Sequence, residues 1–197
     1  MKITSIDQLD LKKTYSYADY LLWQFAERVE LLKGYIMKMA APKRYHQKIV
    51  GKLHAAFFIF LKKRPCEVYL APFDVRLYNS KKSVLLDKEI FTVVQPDLCV
   101  ICDLEKLDDR GCNGSPEFII EIISPNSTKR DVKDKFELYQ ETGVLEYWLI
   151  SPEAKTMTKF VLEDEKYVFK GIFTPEDTVS PHLFEELEID LSEIFED

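Results

Sequence analysis

Three charged side chains, Asp97, Glu121 and Lys135, have residue types and a spacing that could do chemistry together. Asp97 follows Gln-Pro and opens the apolar run LCVICD, whereas Glu121 lies inside the apolar run EFIIEIIS. A carboxylate within a Val/Ile-rich strand is costly in free energy unless it is paired or bound to a cation. Two converging carboxylates form a hard-oxygen site suited to Mg²⁺ or Mn²⁺. Lys135, on the helical pattern that follows, would suit phosphoryl chemistry.

Each of these residues also has a purely structural explanation. Asp97, after a proline, could be a solvated strand end. Glu121 has isoleucines on both sides, which favours metal binding. Lys135 could form an ordinary ion pair with Asp131, four residues earlier on the same helix. The favoured hypothesis is that the two acids bind a metal ion and that the ammonium group lies near the attacking water or the scissile phosphate.

Four further residues are candidates for the same site: Glu30, Asp74, His46 and Gln47. Glu30 could join the acids or face solvent from a strand. Asp74, in the segment FDVRL, could join the metal shell or pair with Arg76. His46 and Gln47 open a long predicted helix whose positive end could meet a phosphate group, and a cap or surface role is the alternative.

The composition indicates a globular protein. The chain has 197 residues, of which 46% are hydrophobic and 13% aromatic, enough to bury a core in one domain. No apolar run reaches the roughly 18 residues that a membrane helix needs. The N-terminal segment MKITSIDQLDLKK lacks the apolar core of a signal peptide. We therefore expect a cytoplasmic protein without a membrane partner.

The net charge of −7 argues against a nucleic-acid-binding surface spread over the whole chain. Basic residues nevertheless gather locally, where a solvated helix face is the competing explanation. The acidic excess lies in the C-terminal segment, residues 163–197. The local basic groups are Lys43, Arg44, Lys48 and Lys52; Lys62, Lys63 and Arg64; and Lys129, Arg130, Lys133 and Lys135.

The four cysteines, at positions 66, 99, 102 and 112, are interpreted as core-filling thiols, because a chain of this length does not need disulfides. Cys99 and Cys102 form a C-x-x-C, but positions three apart in a strand place their side chains on opposite faces. Since no second pair stands at a zinc-ribbon spacing, structural zinc is not expected.

The elements that must position the candidate residues follow from hydrophobic periodicity and turn signals. A cap at Ser16 predicts an N-terminal helix over TYSYADYLLWQFAERVE, and VELLKGYIMKM predicts a hairpin that turns at Lys33-Gly34. A long amphipathic helix is predicted from about His46 to Lys63. Strands are predicted at CEVYLAP, FDVRLY, QPDLCVICD, EFIIEIIS and VLEYWLIS, and a C-terminal hairpin at TMTKFVLEDEKYVFKG.

The segment between EFIIEIIS and VLEYWLIS predicts a helical crossover. Ser127 or Thr128 is expected to cap a helix that runs to about Glu141 and ends at Gly143. A strand joined through a helix to a parallel neighbour crosses over right-handedly. The predicted fold is therefore α/β, a mixed central sheet flanked by helices, with an N-terminal helix-hairpin and a C-terminal antiparallel hairpin. Three aromatic residues near this crossover are interpreted as core rather than as base-stacking residues: Tyr139, Tyr147 and Trp148.

This order of elements, with Pro96-Asp97 at the start of one strand and Glu121 in the next, resembles the PD-(D/E)XK restriction-endonuclease-like superfamily. More specifically, the chain is similar to the Uma family of endonucleases, which is abundant in bacteria. The resemblance covers most of the chain from Glu30 to Phe160. It rests on QPD, on EIISPNST-x-x-D and on K-x-x-LY-x-x-x-GV-x-EYW, which are specific in combination.

The resemblance implies roles for the residues of the site. Asp97 and Glu121 would be the acids that bind Mg²⁺ or Mn²⁺, and the carbonyl oxygen of Ile122 would be a third ligand. The superfamily often places its lysine two residues past the acid, where this chain has Ile123. The Uma pattern moves the lysine to the following helix, where Lys135 fits.

The resemblance also implies an activity and partners. The chain would be a single restriction-endonuclease-like domain, residues 1–197, with its nuclease core at about 44–151, and it would hydrolyse DNA phosphodiester bonds. Glu30 stands where the superfamily frequently supplies one more acid. A homodimer is expected, because two cuts in opposite strands usually require two active sites. The alternatives are a non-catalytic nucleic-acid-binding or regulatory domain that retains the fold, and an interaction domain whose acids are only scaffold.

Overall fold

The computed structural model describes residues 2–78, 86–124 and 128–196. The helices in these ranges are α1 (Tyr17–Tyr20), α2 (Arg44–Leu61), α3 (Lys129–Thr142) and α4 (Leu191–Phe195). The strands are β1 (Val29–Leu32), β2 (Tyr35–Lys38), β3 (Glu67–Leu70), β4 (Val75–Arg76), β5 (Val93–Val94), β6 (Leu98–Ile101), β7 (Leu107–Asp108), β8 (Gly111–Asn113), β9 (Phe118–Ile122), β10 (Glu146–Ser151), β11 (Thr156–Glu163), β12 (Lys166–Phe173), β13 (Thr178–Val179) and β14 (Ile189–Asp190).

These strands form two mixed six-stranded sheets and one small ribbon. The central sheet has the order β12-β11-β10-β9-β6-β3, and the N-terminal sheet has the order β2-β1-β5-β4-β8-β7. The ribbon pairs β13 with β14. The predicted fold class is confirmed, and the structure adds a second sheet that the sequence did not predict: the N-terminal hairpin belongs to it rather than to the central sheet.

The middle of the central sheet is the predicted crossover. Strand β9 runs parallel to β10 and antiparallel to β6, and α3 connects β9 to β10. Thr128 caps α3 through a reciprocal pair of hydrogen bonds with Asp131, while the alternative cap, Ser127, lies outside the described residues. Gly143 ends α3 in the left-handed conformation, as predicted.

Helix α2 covers one face of the central sheet through its predicted apolar stripe. The stripe packs against Phe118 and Ile120 of β9 and Trp148 of β10. Because both strands are nearly continuous in apolar residues, each can be covered on both faces. The buried residues of the stripe are Ile49, Val50, Leu53, Phe57 and Leu61, and Ala56 and Phe60 pack partly buried against the same core.

Helix α3 and the N-terminal sheet share the other face of the central sheet. Leu138 and Tyr139 of α3 pack there with Ile119 of β9, and Val75 and Val94 come from the N-terminal sheet. The two sheets therefore share one apolar layer, and side chains at its edge can reach both. Within the described ranges, no helix combines the length and the apolar character needed to span a membrane.

The N-terminal hairpin forms with the predicted turn. Lys33 and Gly34 both adopt positive φ values, 50° and 88°, which suits the right-handed twist of the strands on either side. A Cβ atom on Gly34 would lie 2.8 Å from the Cβ of Thr14. Glycine is thus required at this position by both its backbone conformation and its neighbour.

The predicted N-terminal helix is wrong in its length. The Ser16–Asp19 capping box forms as predicted, but α1 is a single turn of four residues. The chain then leaves the helix, because the backbone at Trp23 makes a parallel bridge with Ile3. The Trp23 ring packs against Tyr20 with centroids 5.4 Å apart, so tertiary contacts replace the helical ones.

The interpretation of all four cysteines as free thiols is also wrong for two of them. Cys66 and Cys102 form a disulfide. The reason is strand register: β3 pairs with β6 so that Glu67 faces Ile101, which places the next residue on each side opposite the other. Cys99 and Cys112 are buried and free, and Cys99 and Cys102 pack into different layers, as expected from the alternation of side chains.

Candidate active site

Asp97 and Glu121 lie at the same end of two neighbouring strands. The short segment before β6 carries the chain from the N-terminal sheet to the central sheet, and Asp97 is its last residue. Strands β6 and β9 pair Leu98 with Ile120, so the next step of the register places Asp97 opposite Glu121. Asp97 Oδ2 accepts a hydrogen bond of 2.8 Å from the N–H of Ile122. The two acids are thus held by one strand pair.

Helix α3 contributes a lysine and a tyrosine to Glu121. Lys135 Nζ lies 2.8 Å from Glu121 Oε1, and the Tyr139 hydroxyl donates a hydrogen bond of 2.6 Å to the same oxygen. The two residues are four positions apart and so share one face of the helix. The alternative pairing of Lys135 with Asp131 is not formed, because the Asp131 carboxylate caps α3 at Thr128.

Glu30 reaches the same lysine from the N-terminal sheet. It lies on β1, its side chain is 6% exposed, and its Oε1 is 3.1 Å from Lys135 Nζ. The same oxygen accepts a hydrogen bond of 2.8 Å from the N–H of Gln95. Glu30 therefore does not face solvent, and one ammonium group joins carboxylates of both sheets.

Burial and like charges shift the pKa values in this cluster. Burial raises the pKa of Glu121 to about 7; Lys135 opposes this shift, and the carboxylates of Asp97 and Glu30 add to it. Burial lowers the pKa of Lys135, but Glu121 and Glu30 outweigh it, so the net shift is upward. Burial and the carboxylate of Glu121 raise the pKa of Tyr139 well above its ordinary value. Lys135 therefore stays positively charged, while the negative charge of Glu121 is only partly offset by its neighbours.

His46 lies beside Asp97, and Gln47 does not. His46 is in the first turn of α2, with Nε2 3.1 Å from Asp97 Oδ2. Its Nδ1 is buried and has no hydrogen-bond partner in the described part of the chain. The side chain of Gln47, one residue further along α2, is exposed. Of the two predicted helix-start residues, only His46 is brought to the acids.

Asp74 lies in an adjacent cavity rather than in the cluster itself. A cavity of about 490 Å³ is lined by Asp74, Tyr20 and Gln95 among others. The Gln95 side chain donates a hydrogen bond of 2.9 Å to Asp74, and its backbone N–H bonds Glu30, so Gln95 links the cavity to the cluster. Burial raises the pKa of Asp74. The suggested partner of Asp74, Arg76, donates its hydrogen bond of 2.8 Å to Asp108 instead.

The donor set fits a hard divalent cation that keeps several water ligands. Among the described residues, no group of three or more His, Cys, Asp or Glu side chains could enclose a metal ion. Magnesium usually binds through only one or two carboxylates and retains waters, so Asp97 and Glu121 are a sufficient pair. Burial raises the pKa of Glu121, with a smaller contribution from Asp97 and Glu30, and a divalent cation bound there would favour the ionised carboxylate.

Two residues of the cluster received no site role from the sequence. Tyr139 was interpreted as core, although its position four residues after Lys135 is the signal that places it on the same helix face. Gln95 was noted only as part of the QPD segment. Its backbone contacts Glu30 and its side chain contacts Asp74. Both contacts depend on how the two sheets dock, so no local sequence pattern predicts them.

The fold, with two acids at the end of neighbouring strands and a lysine from the helix between parallel strands, is restriction-endonuclease-like. The family model Uma2, described as "Putative restriction endonuclease", matches residues 17–192. Because this match covers most of the chain, the chain belongs to the Uma2 family.

A solved structure and a curated relative are also similar to this chain. The crystal structure of a "putative nuclease belonging to DUF820" from Anabaena variabilis superposes with a TM-score of 0.72 at 18% identity, covering 92% of this chain and 97% of that one. An uncharacterised protein of Synechocystis, slr1290, is 24% identical over 134 residues. This match covers 67% of the present chain and 65% of the relative, just under two thirds of that protein's length.

Proposed function

We propose that this protein is a Mg²⁺- or Mn²⁺-dependent endonuclease that hydrolyses phosphodiester bonds of DNA. The observation that carries the proposal is the buried Glu30–Lys135–Glu121 network beside Asp97. An ion pair that served only stability could be replaced by apolar packing at little cost. In this network, the carboxylates of Asp97 and Glu121 lie at the ends of two neighbouring strands, and a bound cation would offset their negative charge.

Each residue of the cluster has a role in this proposal. Asp97 and Glu121, with the carbonyl oxygen of Ile122, would hold the cation, which supplies an activated water and neutralises charge on the phosphoryl group. Lys135 stabilises negative charge that develops on the phosphoryl oxygens. Glu30 keeps the Lys135 ammonium group in place, since the buried carboxylate lies 3.1 Å from the partly buried lysine.

The surface near the cluster supports DNA as the substrate. Lys43 and Arg44 at the start of α2 are exposed, and so is Lys129 at the start of α3. Both helix starts lie close to the acids, because His46 of α2 contacts Asp97, and Asp131 in the first turn of α3 lines the same cavity as Glu121. Positive side chains and helix N-termini together favour phosphate groups. We also propose a homodimer, because cleavage of both DNA strands usually requires two active sites, one for each strand.

Cleavage of supercoiled plasmid in Mg²⁺ or Mn²⁺ tests the proposal. The wild-type protein should nick the plasmid, and the variants Asp97→Asn, Glu121→Gln and Lys135→Met should each lower the rate by roughly 100-fold or more. Glu137→Gln is the matched control, because Glu137 is a half-exposed carboxylate on α3 that pairs with Lys133 outside the cluster. This control should cleave at the wild-type rate.

Two other results would favour the alternatives. Metal-dependent DNA binding without cleavage would indicate a nucleic-acid-binding domain that retains the fold. If Mg²⁺ and Mn²⁺ changed neither the melting temperature nor DNA retention, the acids would be scaffold, and the nuclease proposal would be wrong.

A further inference from the structure

Tyr147 has a buried hydroxyl group that no protein atom satisfies. The residue lies on β10, is 1% exposed, and its hydroxyl has no hydrogen-bond partner in the described ranges of the chain. Buried polar groups are nearly always hydrogen-bonded, to protein or to ordered water. An isolated hydroxyl is therefore a sign that something else occupies the space beside it.

The space beside Tyr147 is a small cavity that also contains the acid–lysine pair. The cavity measures about 80 Å³, and its lining includes Tyr147, Glu121 and Lys135. Burial raises the pKa of Tyr147, and the carboxylates of Glu121 and Asp97 raise it further, so the hydroxyl lies within electrostatic reach of both acids. Tyr147 therefore lines the same cavity as the residues of the candidate active site.

The aromatic neighbours of Tyr147 hold its ring in this orientation. The Tyr139 ring packs edge-on with its centroid 5.3 Å away, and Phe160 stacks at 6.0 Å. Since the ring is enclosed in this way, the hydroxyl cannot turn to another partner without repacking the core.

The cavity has the size and polarity of a water site. A buried water needs about 10–15 Å³ of accessible volume and two to four polar partners. Tyr147, Glu121 and Lys135 all line this space, and their side chains end in a hydroxyl, a carboxylate and an ammonium group. A purely apolar cavity would stay empty, but this one would not.

We propose that this cavity is a water subsite, held by the Tyr147 hydroxyl and the Glu121 carboxylate, that supplies the attacking water of the hydrolysis. The inference rests on the proposed nuclease function. The water oxygen bonds to phosphorus as the bond from phosphorus to the leaving oxygen breaks. One water proton ends on that leaving oxygen, and the other stays on the new phosphate oxygen. Tyr147 orients the water and exchanges no proton.

The test compares Tyr147→Phe with Tyr167→Phe. Tyr167 belongs to the same aromatic cluster, with its ring centroid 6.0 Å from that of Tyr147, but its hydroxyl donates to the carbonyl oxygen of Val144. Tyr147→Phe should lower kcat for DNA cleavage by about 10- to 100-fold and leave KM unchanged, because only the orientation of the water is lost. Tyr167→Phe should keep the wild-type kcat.

Thermal melts of the same variants without metal or DNA test the water independently of activity. If the hydroxyl holds a water, Tyr147→Phe should lower Tm by about 2–4 °C, as the loss of one hydrogen bond does in a chain of this size. If the cavity is dry, removal of an unsatisfied hydroxyl should leave Tm unchanged or raise it, and the inference is overturned.

The two measurements separate failure of the inference from failure of the proposed function. Wild-type kcat in Tyr147→Phe, or a change confined to KM, would overturn the inference while metal-dependent cleavage by the wild type upheld the nuclease. Absence of cleavage by the wild type would overturn the nuclease and the catalytic role of the water together, and the melts would then decide whether the subsite is hydrated.

Discussion

The carboxyl group of Glu121 is buried with a lysine and two other acids, and its pKa of about 7 should be visible in stability. This folded-state pKa lies above the ordinary value of 4.5, so between the two values the folded protein binds more protons than the unfolded chain. Without metal, the free energy of unfolding should therefore fall as the pH rises from about 4.5 to 7. In Glu121→Gln this fall should be flatter.

Metal-free thermal melts from pH 4 to 8 measure this dependence. Glu137→Gln, which removes a half-exposed carboxylate from α3, should retain the wild-type slope. Equal slopes for the wild type and Glu121→Gln would mean that the pKa of Glu121 is the same in the folded and unfolded states, contrary to its surroundings.

His46 is expected to orient Asp97. Its Nε2 lies 3.1 Å from Asp97 Oδ2. Groups that orient a metal ligand typically contribute about 10- to 100-fold to metal affinity. His46→Ala should weaken Mn²⁺ binding by this factor, measured by calorimetry, and Gln47→Ala, which changes the exposed neighbour, should not. Equal Mn²⁺ affinities in the two variants would mean that His46 only packs against its neighbours and does not orient Asp97.

Residue context explains which site residues the sequence could predict. Asp97 and Glu121 stood out because acids in apolar strands are costly, and Lys135 followed from helical spacing together with the family resemblance. Glu30 and Gln95 meet the cluster only because two sheets dock, which no local pattern encodes. The role of Tyr147 was hidden for another reason: a buried tyrosine in an apolar strand looks the same whether or not its hydroxyl has a partner.

At the scale of elements, strong periodicity predicted α2, α3 and most strands correctly. The predicted N-terminal helix failed because a short capped turn can be ended by tertiary contacts, here those of Trp23. The sequence predicted where the strands lie, but it did not predict which strands pair with one another. The hairpin β1–β2 and the strands of the central sheet have similar local patterns, and the pairing of β1 with β5 places the hairpin in the N-terminal sheet.

The hairpin that presents Glu30 depends on its glycine. Gly34→Ala should destabilise the protein by roughly 1–2 kcal/mol or more, because φ is +88° and a Cβ would meet Thr14. Gly51→Ala is the matched control: Gly51 is exposed within α2, and nothing lies within 4 Å of an added Cβ. It should stabilise by about 0.5–1 kcal/mol. Denaturant unfolding measures the change in the free energy of unfolding for each variant. If Gly34→Ala stabilised the protein as Gly51→Ala does, the assigned turn would be contradicted.

At the scale of the whole molecule, a net charge of −7 means that the proposed DNA binding must depend on local basic residues. Lys43→Glu/Arg44→Glu, at the start of α2, should weaken DNA binding and reduce the salt slope of log K by up to about 2. The control, Lys62→Glu/Lys63→Glu, makes the same charge change at the other end of this 18-residue helix, about 27 Å away. DNA titrations at several salt concentrations measure the slopes. An equal loss of DNA affinity in both double variants would mean that only the overall charge, and not the position of Lys43 and Arg44, affects binding.

The single ammonium group of Lys135 touches an acid from each sheet, so the candidate site is complete only when the two sheets have docked. A chain in which only the N-terminal sheet has formed holds Glu30 alone, whereas the central sheet with α3 holds Asp97, Glu121 and Lys135 but lacks Glu30. If the protein is the proposed nuclease, cleavage by a partly folded chain should be weak, because Lys135 would lack its contact to Glu30 of the N-terminal sheet.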